Sequence, residues 1–215
     1  MRKTLYVLVI ALVFVAPLSA YATQLTVNSY SMHNGDYGSF NYTDYTYVPC
    51  NGVCSTQDAW LSGGTGKLTD GVLPPESWYQ EGYQTKWVGW YPGYRLNPLV
   101  TFNFANTVTI NSVTAWFDNT PGYGDVRLPA SVSIDGTSFS VAADSAYGPR
   151  AVVFSGLNVT GTSIDVQFIQ PSYWIMVGEV TFNGNNGSTV PLPGAFTLLA
   201  PGLVGLAAIR RRFKK

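Results

Sequence analysis

From Leu99 onward the chain alternates apolar and polar side chains with a period of two, which leaves room for little but antiparallel β-structure. Val100, Phe102 and Phe104 alternate with Thr101 and Asn103, and Ile164, Val166 and Phe168 alternate with Asp165 and Gln167. Val108 to Ile110 and Val113 to Phe117 form a second run, with a bulge expected at Asn111-Ser112. Ser131 to Ile134 and Thr137 to Val141 flank Asp135-Gly136 and read as a hairpin, because Asp-Gly readily supplies the positive φ angles of a two-residue turn. Ala151 to Phe154 is expected as a short buried strand, and Ile175 to Phe182 closes the domain. Short strands, spaced turns and no helical period predict an all-β antiparallel sandwich or jelly roll.

The first half is less regular. Leu25 to Val27 is a candidate first strand. Tyr30, Tyr37, Phe40, Tyr42, Tyr45 and Tyr47 then follow among Asn, Gly, Asp and Ser with no sustained period. Thr23 to Gly66 therefore reads as one long loop packed by its own tyrosines. Gly63-Gly64-Thr65-Gly66 is not a phosphate loop, since no Gly-Lys-Ser/Thr follows it. Asp70-Gly71 is a turn, and Trp87 and Trp90 are expected in the core.

Both ends carry processing signals. Arg2 and Lys3, the apolar run Leu5 to Val15, and Ala20-Tyr21-Ala22 predict a signal peptide over 1–22, cleaved before Thr23. Export places Cys50 and Cys54 in an oxidising compartment, where they are expected to close a five-residue ring. Residues 185–189 read as a flexible linker. Ala195 to Ile209 is then an apolar stretch shorter than the roughly 20 residues a spanning helix needs, interrupted by Pro201 and closed by Arg210, Arg211 and Arg212. The basic end is expected to stay cytoplasmic.

Charge narrows the function. Of the 12 Lys and Arg, only Lys67, Lys86, Arg95, Arg127 and Arg150 lie between the two ends, against all 12 carboxylates. An acidic body is a poor phosphate binder, so no nucleic-acid partner is expected. Catalysis has little support. His33 is the single histidine and lies in the irregular stretch, so Ser-His-Asp chemistry has little support. Glu76 with Glu81, or Asp118 with Asp125, could in principle form a glycosidase pair, but loop carboxylates in an acidic protein are ordinarily solvated.

The last 26 residues (190–215), with Val190-Pro191-Leu192-Pro193 before the apolar stretch and the Arg cluster after it, resemble the PEP-CTERM sorting signal. That family's motif has Glu where Leu192 stands. The resemblance implies transient anchoring in the inner membrane and an exosortase-type processing enzyme as partner. Residues 23–184 are similar to the discoidin (F5/8 type C, galactose-binding-like) fold. The matching pieces are Leu68-Thr69-Asp70-Gly71, the strand Val100 to Phe104, Pro129 to Val132 running into Asp135 to Phe139, and Trp174 followed by Val177 to Gly184.

That resemblance implies a structural Ca²⁺ held by Asp70 and Glu179, with carbonyls near Lys67 and Val72. Hard oxygens in a Gly-permitted turn suit that ion. The alternative is a pairing of Glu179 with Lys67 or another cation. It also implies ligand binding by loops at one end of the sandwich. The candidates there are Tyr91, Arg95, Tyr123, Asp125, Arg127 and Tyr173, which combine aromatic faces with planar polar groups suited to sugars. The expectation is an exported, non-enzymatic protein that binds polysaccharide. The alternative is a biofilm-matrix protein whose aromatic loops make protein contacts.

Overall fold

A computed structural model describes residues 22–186, save 84 and 171. The signal peptide (Ala22 apart) and the sorting segment with Val190, Pro191, Pro193 and the Arg cluster lie outside the described residues. Among the described residues no helix is long and apolar enough to cross a membrane.

Two strands dominate. β5 (Leu99–Asn119) and β8 (Gly148–Ile169) are 21 and 22 residues long and pair antiparallel along most of their length. At about 3.3 Å per residue, each would reach about 70 Å if straight, far beyond a domain whose radius of gyration is about 15 Å. Register shifts between Asn103 and Val108, and between Ile110 and Ser112, mark where β5 departs from a straight ladder. The second is the predicted bulge. Buried positions fall on even residues up to Ile110 and on odd ones from Val113, so the extra residue keeps one face inward.

The first half of β5 pairs with β2 (Ser29–His33), which pairs in turn with β3 (Trp60–Gly64). On its other side the end of β8 leads to β6 (Ser131–Ile134) and β7 (Thr137–Ser140). The second half of β5 pairs with β9 (Ile175–Asn186), which also takes β1 (Thr23–Leu25) and β4 (Val88–Trp90). The two halves pack face to face. Phe102 meets Phe182 at 4.9 Å between ring centroids, and Phe117 meets Phe168 at 5.6 Å. The result is an all-β antiparallel sandwich, with one helical turn among the described residues, α1 (Trp78–Glu81).

Several expectations need correction. The supposed loop Thr23–Gly66 contains β1, β2 and β3. In β2 a period of two runs through Tyr30 and Met32, which point into the core. The first strand covers Thr23–Leu25 rather than Leu25–Val27. The two runs before Asn119 are one bent strand. Ala151–Phe154 belongs to β8 and is not a short buried strand, since Val153 is 61% exposed. Asn185 and Asn186 pair with Thr109 and Val108 as part of β9, so the linker does not begin at 185. The Asp135-Gly136 hairpin is as expected, with φ of 48° and 80°. Cys50 and Cys54 are disulfide-bonded, and Cys54 offers its carbonyl to the buried Asn34 amide at 2.8 Å.

The loop between β2 and β3 is tied down by Asp44, which is fully buried. Its carboxylate accepts from the Tyr30 hydroxyl, the Lys67 backbone N–H at 3.0 Å and the Thr46 hydroxyl at 3.1 Å. Beside it the buried Lys67 ammonium donates to the carbonyls of Thr43 and Trp87 and lies 4.1 Å over the Tyr45 ring. Burial lowers that ammonium to a pKa of about 8, against the opposing pull of Asp44.

Candidate functional site at the loop end of the sandwich

The ends of β4, β5 and β8 and the start of β9 all open at one end of the sandwich. The strands place four loops there: the 34–42 segment, α1 with its flanks, the 120–127 turn, and Tyr173-Trp174. Val126 bridges to Trp174, with N–H donation from Arg127 to the Trp174 carbonyl at 3.1 Å and from Trp174 to the Asp125 carbonyl at 3.2 Å. This bridge locks the 120–127 turn to the entry of β9.

Aromatic rings then touch one after another across that end. Tyr91 lies 5.2 Å from Trp174, Trp174 5.3 Å from Tyr42, and Tyr42 5.7 Å from Trp78. Trp78 continues to Tyr79 at 5.8 Å, and Tyr79 stacks on Tyr123 at 4.3 Å with planes 16° apart. Trp78 is fixed from below: its N–H donates to the Asp118 carboxylate at 2.9 Å and its indole N–H to the Thr120 hydroxyl at 3.0 Å. Burial raises the Asp118 pKa, a cost partly offset by that backbone donor.

Between Trp174 and Trp78 lies a cleft of about 160 Å³, with Tyr42 and Met176 among its lining residues. Glycines keep it open. A methyl group at Gly38 would sit 2.7 Å from the Tyr42 ring, and one at Gly124 would sit 2.9 Å from Trp78, at a φ of +65° that already favours glycine. On the flank, Asp125 and Arg127 form an exposed ion pair at 2.6 Å, and the Arg127 guanidinium stands 5.6 Å over Tyr173. Arg127 and Tyr173 also border a second hollow of about 240 Å³.

Five of the six predicted ligand residues thus gather at this end: Tyr91, Tyr123, Asp125, Arg127 and Tyr173. Arg95 does not join them. Its guanidinium turns to Asp58, with Nε at 2.9 Å and Nη2 at 2.7 and 2.8 Å from the carboxylate oxygens, and to His33 Nδ1 at 3.0 Å. Trp78, Tyr79, Tyr42 and Trp174 were missed as site residues. The one available signal was the density of Trp and Tyr beside Gly and Ser.

One member of each carboxylate pair named from the sequence is engaged by a backbone donor. Glu81 accepts from the Lys86 N–H at 2.6 Å, and Asp118 is committed to α1.

Asp70 and Glu179 do come together. Gly71 N–H donates to Glu179 Oε2 at 3.3 Å, while Asp70 accepts from Val72 N–H at 2.8 Å. Glu179 does not share a face with Val177. Trp116 pairs with Glu179 while Phe117 pairs with Val177, so Gly178 is an inserted bulge residue that turns Glu179 to the outer side. Nor does Lys67 pair with Glu179, its ammonium being occupied by Thr43 and Trp87.

Glu179 is only 2% exposed, and burial followed by the charge of Asp70 raises its pKa to about 8. Beside it the buried Thr69 hydroxyl lacks a partner, and both residues line a hollow of about 240 Å³. Asp70 feels the charges of Lys67 and Lys86, but Glu179 has no such cation beside it, and this carboxylate pair with an unpartnered oxygen fits a hard divalent cation. Among the described residues no three His, Cys, Asp or Glu side chains cluster there, so main-chain carbonyls would have to complete the shell.

Because its folded pKa is raised, the Glu179 contribution to stability is full below about pH 4.5 and is lost as pH rises through about 8. Asp36, raised by burial to about 6, acts in the same direction at the lower end of that window. Metal-free protein should therefore melt at progressively lower temperature between pH 5 and 8, above which the Lys67 ammonium, with its lowered pKa, acts in the opposite direction. Glu179→Gln should flatten the upper part of that fall. Calorimetry at stepped pH checks this; melting that does not change with pH would contradict it.

No family model matches the chain, and no curated protein matches it. Solved structures of discoidin-like and carbohydrate-binding domains do resemble it. A fucolectin from striped bass serum is 12% identical with a TM-score of 0.43, covering 77% of this chain and 50% of its own. The F5/8 type C domain of a Bacteroides fragilis protein is 8% identical with a TM-score of 0.43, covering 78% and 99%. The CBM32 domain of AlyQ, in complex with 4,5-unsaturated mannuronic acid, is 14% identical with a TM-score of 0.38, covering 74% and 97%. The chain spans about half the length of the fucolectin it matches. At these identities and scores the likeness is one of outline.

Proposed function

We propose that this chain is an exported, non-enzymatic protein that binds polysaccharide through the aromatic cleft at the loop end. The observation that carries the proposal is the run of touching rings from Tyr91 to Tyr123, with a glycine-lined cleft between two indoles at its middle. Rings held in place by neighbours can stack against the C–H face of a sugar with little ordering cost. The Asp125–Arg127 pair supplies both acceptors and donors for hydroxyls. Tyr91 and Tyr123, 41% and 55% exposed, are free to touch a chain longer than one sugar.

In this reading a divalent cation held by Asp70 and Glu179 is structural. It lies with the Lys67–Val72 turn, whose Leu68 carbonyl accepts from Val180 N–H at 2.8 Å, and would neutralise the two carboxylates. Added Ca²⁺ should raise the melting temperature at pH 8 and produce heat on titration; neither change occurring would remove the site. The sorting segment would hold the protein in the inner membrane only until an exosortase-type enzyme processes it, leaving the folded part at the cell surface or in the matrix.

A glycan array tests the sugar reading. Replacing both Tyr123 and Arg127 by alanine removes an exposed ring and an exposed guanidinium without opening the core, and should clearly weaken the binding shown by the wild type. Unchanged binding by the double variant would sink this assignment.

A further inference from the structure

We infer that the outer face of the β3-β2-β5 layer carries a second sugar-binding cleft, separate from the loop-end cleft and specific for neutral pyranose units. The cleft holds about 390 Å³ and is lined by His33, Trp60, Arg95, Asn97, Leu99 and Gln167 among others. None of these residues lines the cleft between Trp174 and Trp78. The strands explain the grouping. His33 pairs with Trp60 across β2 and β3, and Leu99 pairs with Gln167 across β5 and β8. The Arg95–Asn97 turn then closes one side.

Its chemistry points to a neutral sugar. Trp60 is 56% exposed, an unusual position for an indole, and its ring is braced edge-on by His33 at 5.1 Å. Leu96 and Leu99 are 53% and 44% exposed on the same cleft. A purely apolar occupant would strip water from Arg95, Asp58 and Gln167 without replacing their hydrogen bonds. An ionic occupant finds no free charge, because Arg95 and Asp58 already neutralise each other through a bidentate contact. What remains is a rigid, paired set of donors and acceptors beside an exposed aromatic face. A pyranose ring presents the complementary combination of an apolar C–H face and a rim of hydroxyls that both donate and accept.

The two clefts flank one turn. Tyr91 faces Trp174, while Arg95 faces Asp58 and His33. A polysaccharide strand or two neighbouring strands could therefore engage both, so that weak single contacts add through effective concentration. The inference extends the binding reading above and shares with it only the ligand class.

Affinity electrophoresis of the full chain through gels containing exopolysaccharide from the producing cells separates the two sites. Trp60→Ala and, independently, Leu99→Lys alter exposed side chains of this cleft. Each is expected to weaken retention about tenfold, the size of one well-placed aromatic or packing contact. Trp174→Ala tests the other cleft, and the Trp60→Ala/Trp174→Ala double variant should migrate as if no polysaccharide were present. Wild-type retention in Trp60→Ala and in Leu99→Lys, together with no further loss when Trp60→Ala is added to Trp174→Ala, would overturn the second cleft and leave the loop-end site standing. Loss in Trp60→Ala with none in Trp174→Ala would keep this cleft and contradict the loop-end assignment. A wild-type protein that is not retarded at all would overturn both.

Discussion

Replacing Asp44 by alanine is expected to cost about 3–5 kcal/mol of folding stability, enough to leave much of the protein unfolded under mild denaturant. The carboxylate is fully buried and accepts from three donors, the Tyr30 hydroxyl, the Lys67 N–H and the Thr46 hydroxyl. Alanine leaves the Tyr30 hydroxyl and the Lys67 N–H without an acceptor in a place water does not reach, whereas the exposed Thr46 can turn to solvent. It also strips the Lys67 ammonium of the largest charge opposing its desolvation. Through Lys67 the damage reaches Thr43 and Trp87, and through Tyr30 it reaches the core. Urea unfolding of Asp44→Ala and Asp44→Asn checks this. Asparagine keeps one acceptor oxygen and should cost about half as much, since hydrogen bonds rather than packing volume are at stake. Equal, small losses in both variants would show that the loop is held by its tyrosines alone.

The second large effect is on binding. Trp174→Ala should weaken polysaccharide binding by about 100-fold, the scale of a binding hot spot of roughly 2–3 kcal/mol. Trp174 forms one wall of the loop-end cleft and touches both Tyr91 and Tyr42, so its loss opens the cleft and frees a ring on each side. Its own backbone bonds to Asp125 and Arg127 persist in alanine, which keeps the 120–127 turn in place. Binding by equilibrium titration and melting by calorimetry should therefore separate. Affinity should collapse while the melting temperature moves by a few degrees. A parallel fall in both would mark Trp174 as a packing residue.

How much of this could be read from the sequence depended on whether the information was local. β5 and the Asp135-Gly136 hairpin announce themselves because alternation and turn chemistry are properties of adjacent residues. The Asn111-Ser112 irregularity was legible for the same reason: it breaks a parity that is visible in the chain. β2 also alternates, through Tyr30 and Met32. It was hidden because tyrosines continue beyond it without a period, some buried in the loop by Asp44 and others exposed.

The site was legible only in part. Tyr123, Asp125 and Arg127 share one turn, so any loop-end reading groups them. The cleft, however, depends on Trp78 and Trp174 arriving from distant segments, and no spacing rule encodes that meeting. Arg95 shows the converse. Its place beside Tyr91 suggested a shared role, but Asp58, 37 residues earlier, draws its side chain to another face. Glu179 lies beside Asp70 on the outer side of β9, because the Gly178 bulge reverses the alternation after Val177, and that bulge leaves no local sign in the sequence.

The most direct measurement is retention of the purified protein on exopolysaccharide extracted from the cells that make it, with elution by free monosaccharides. Retention that one neutral monosaccharide displaces, and that Trp174→Ala weakens, is the expected result. Absence of retention, or retention that no sugar displaces, would contradict carbohydrate recognition and identify the aromatic end as a surface for protein contacts.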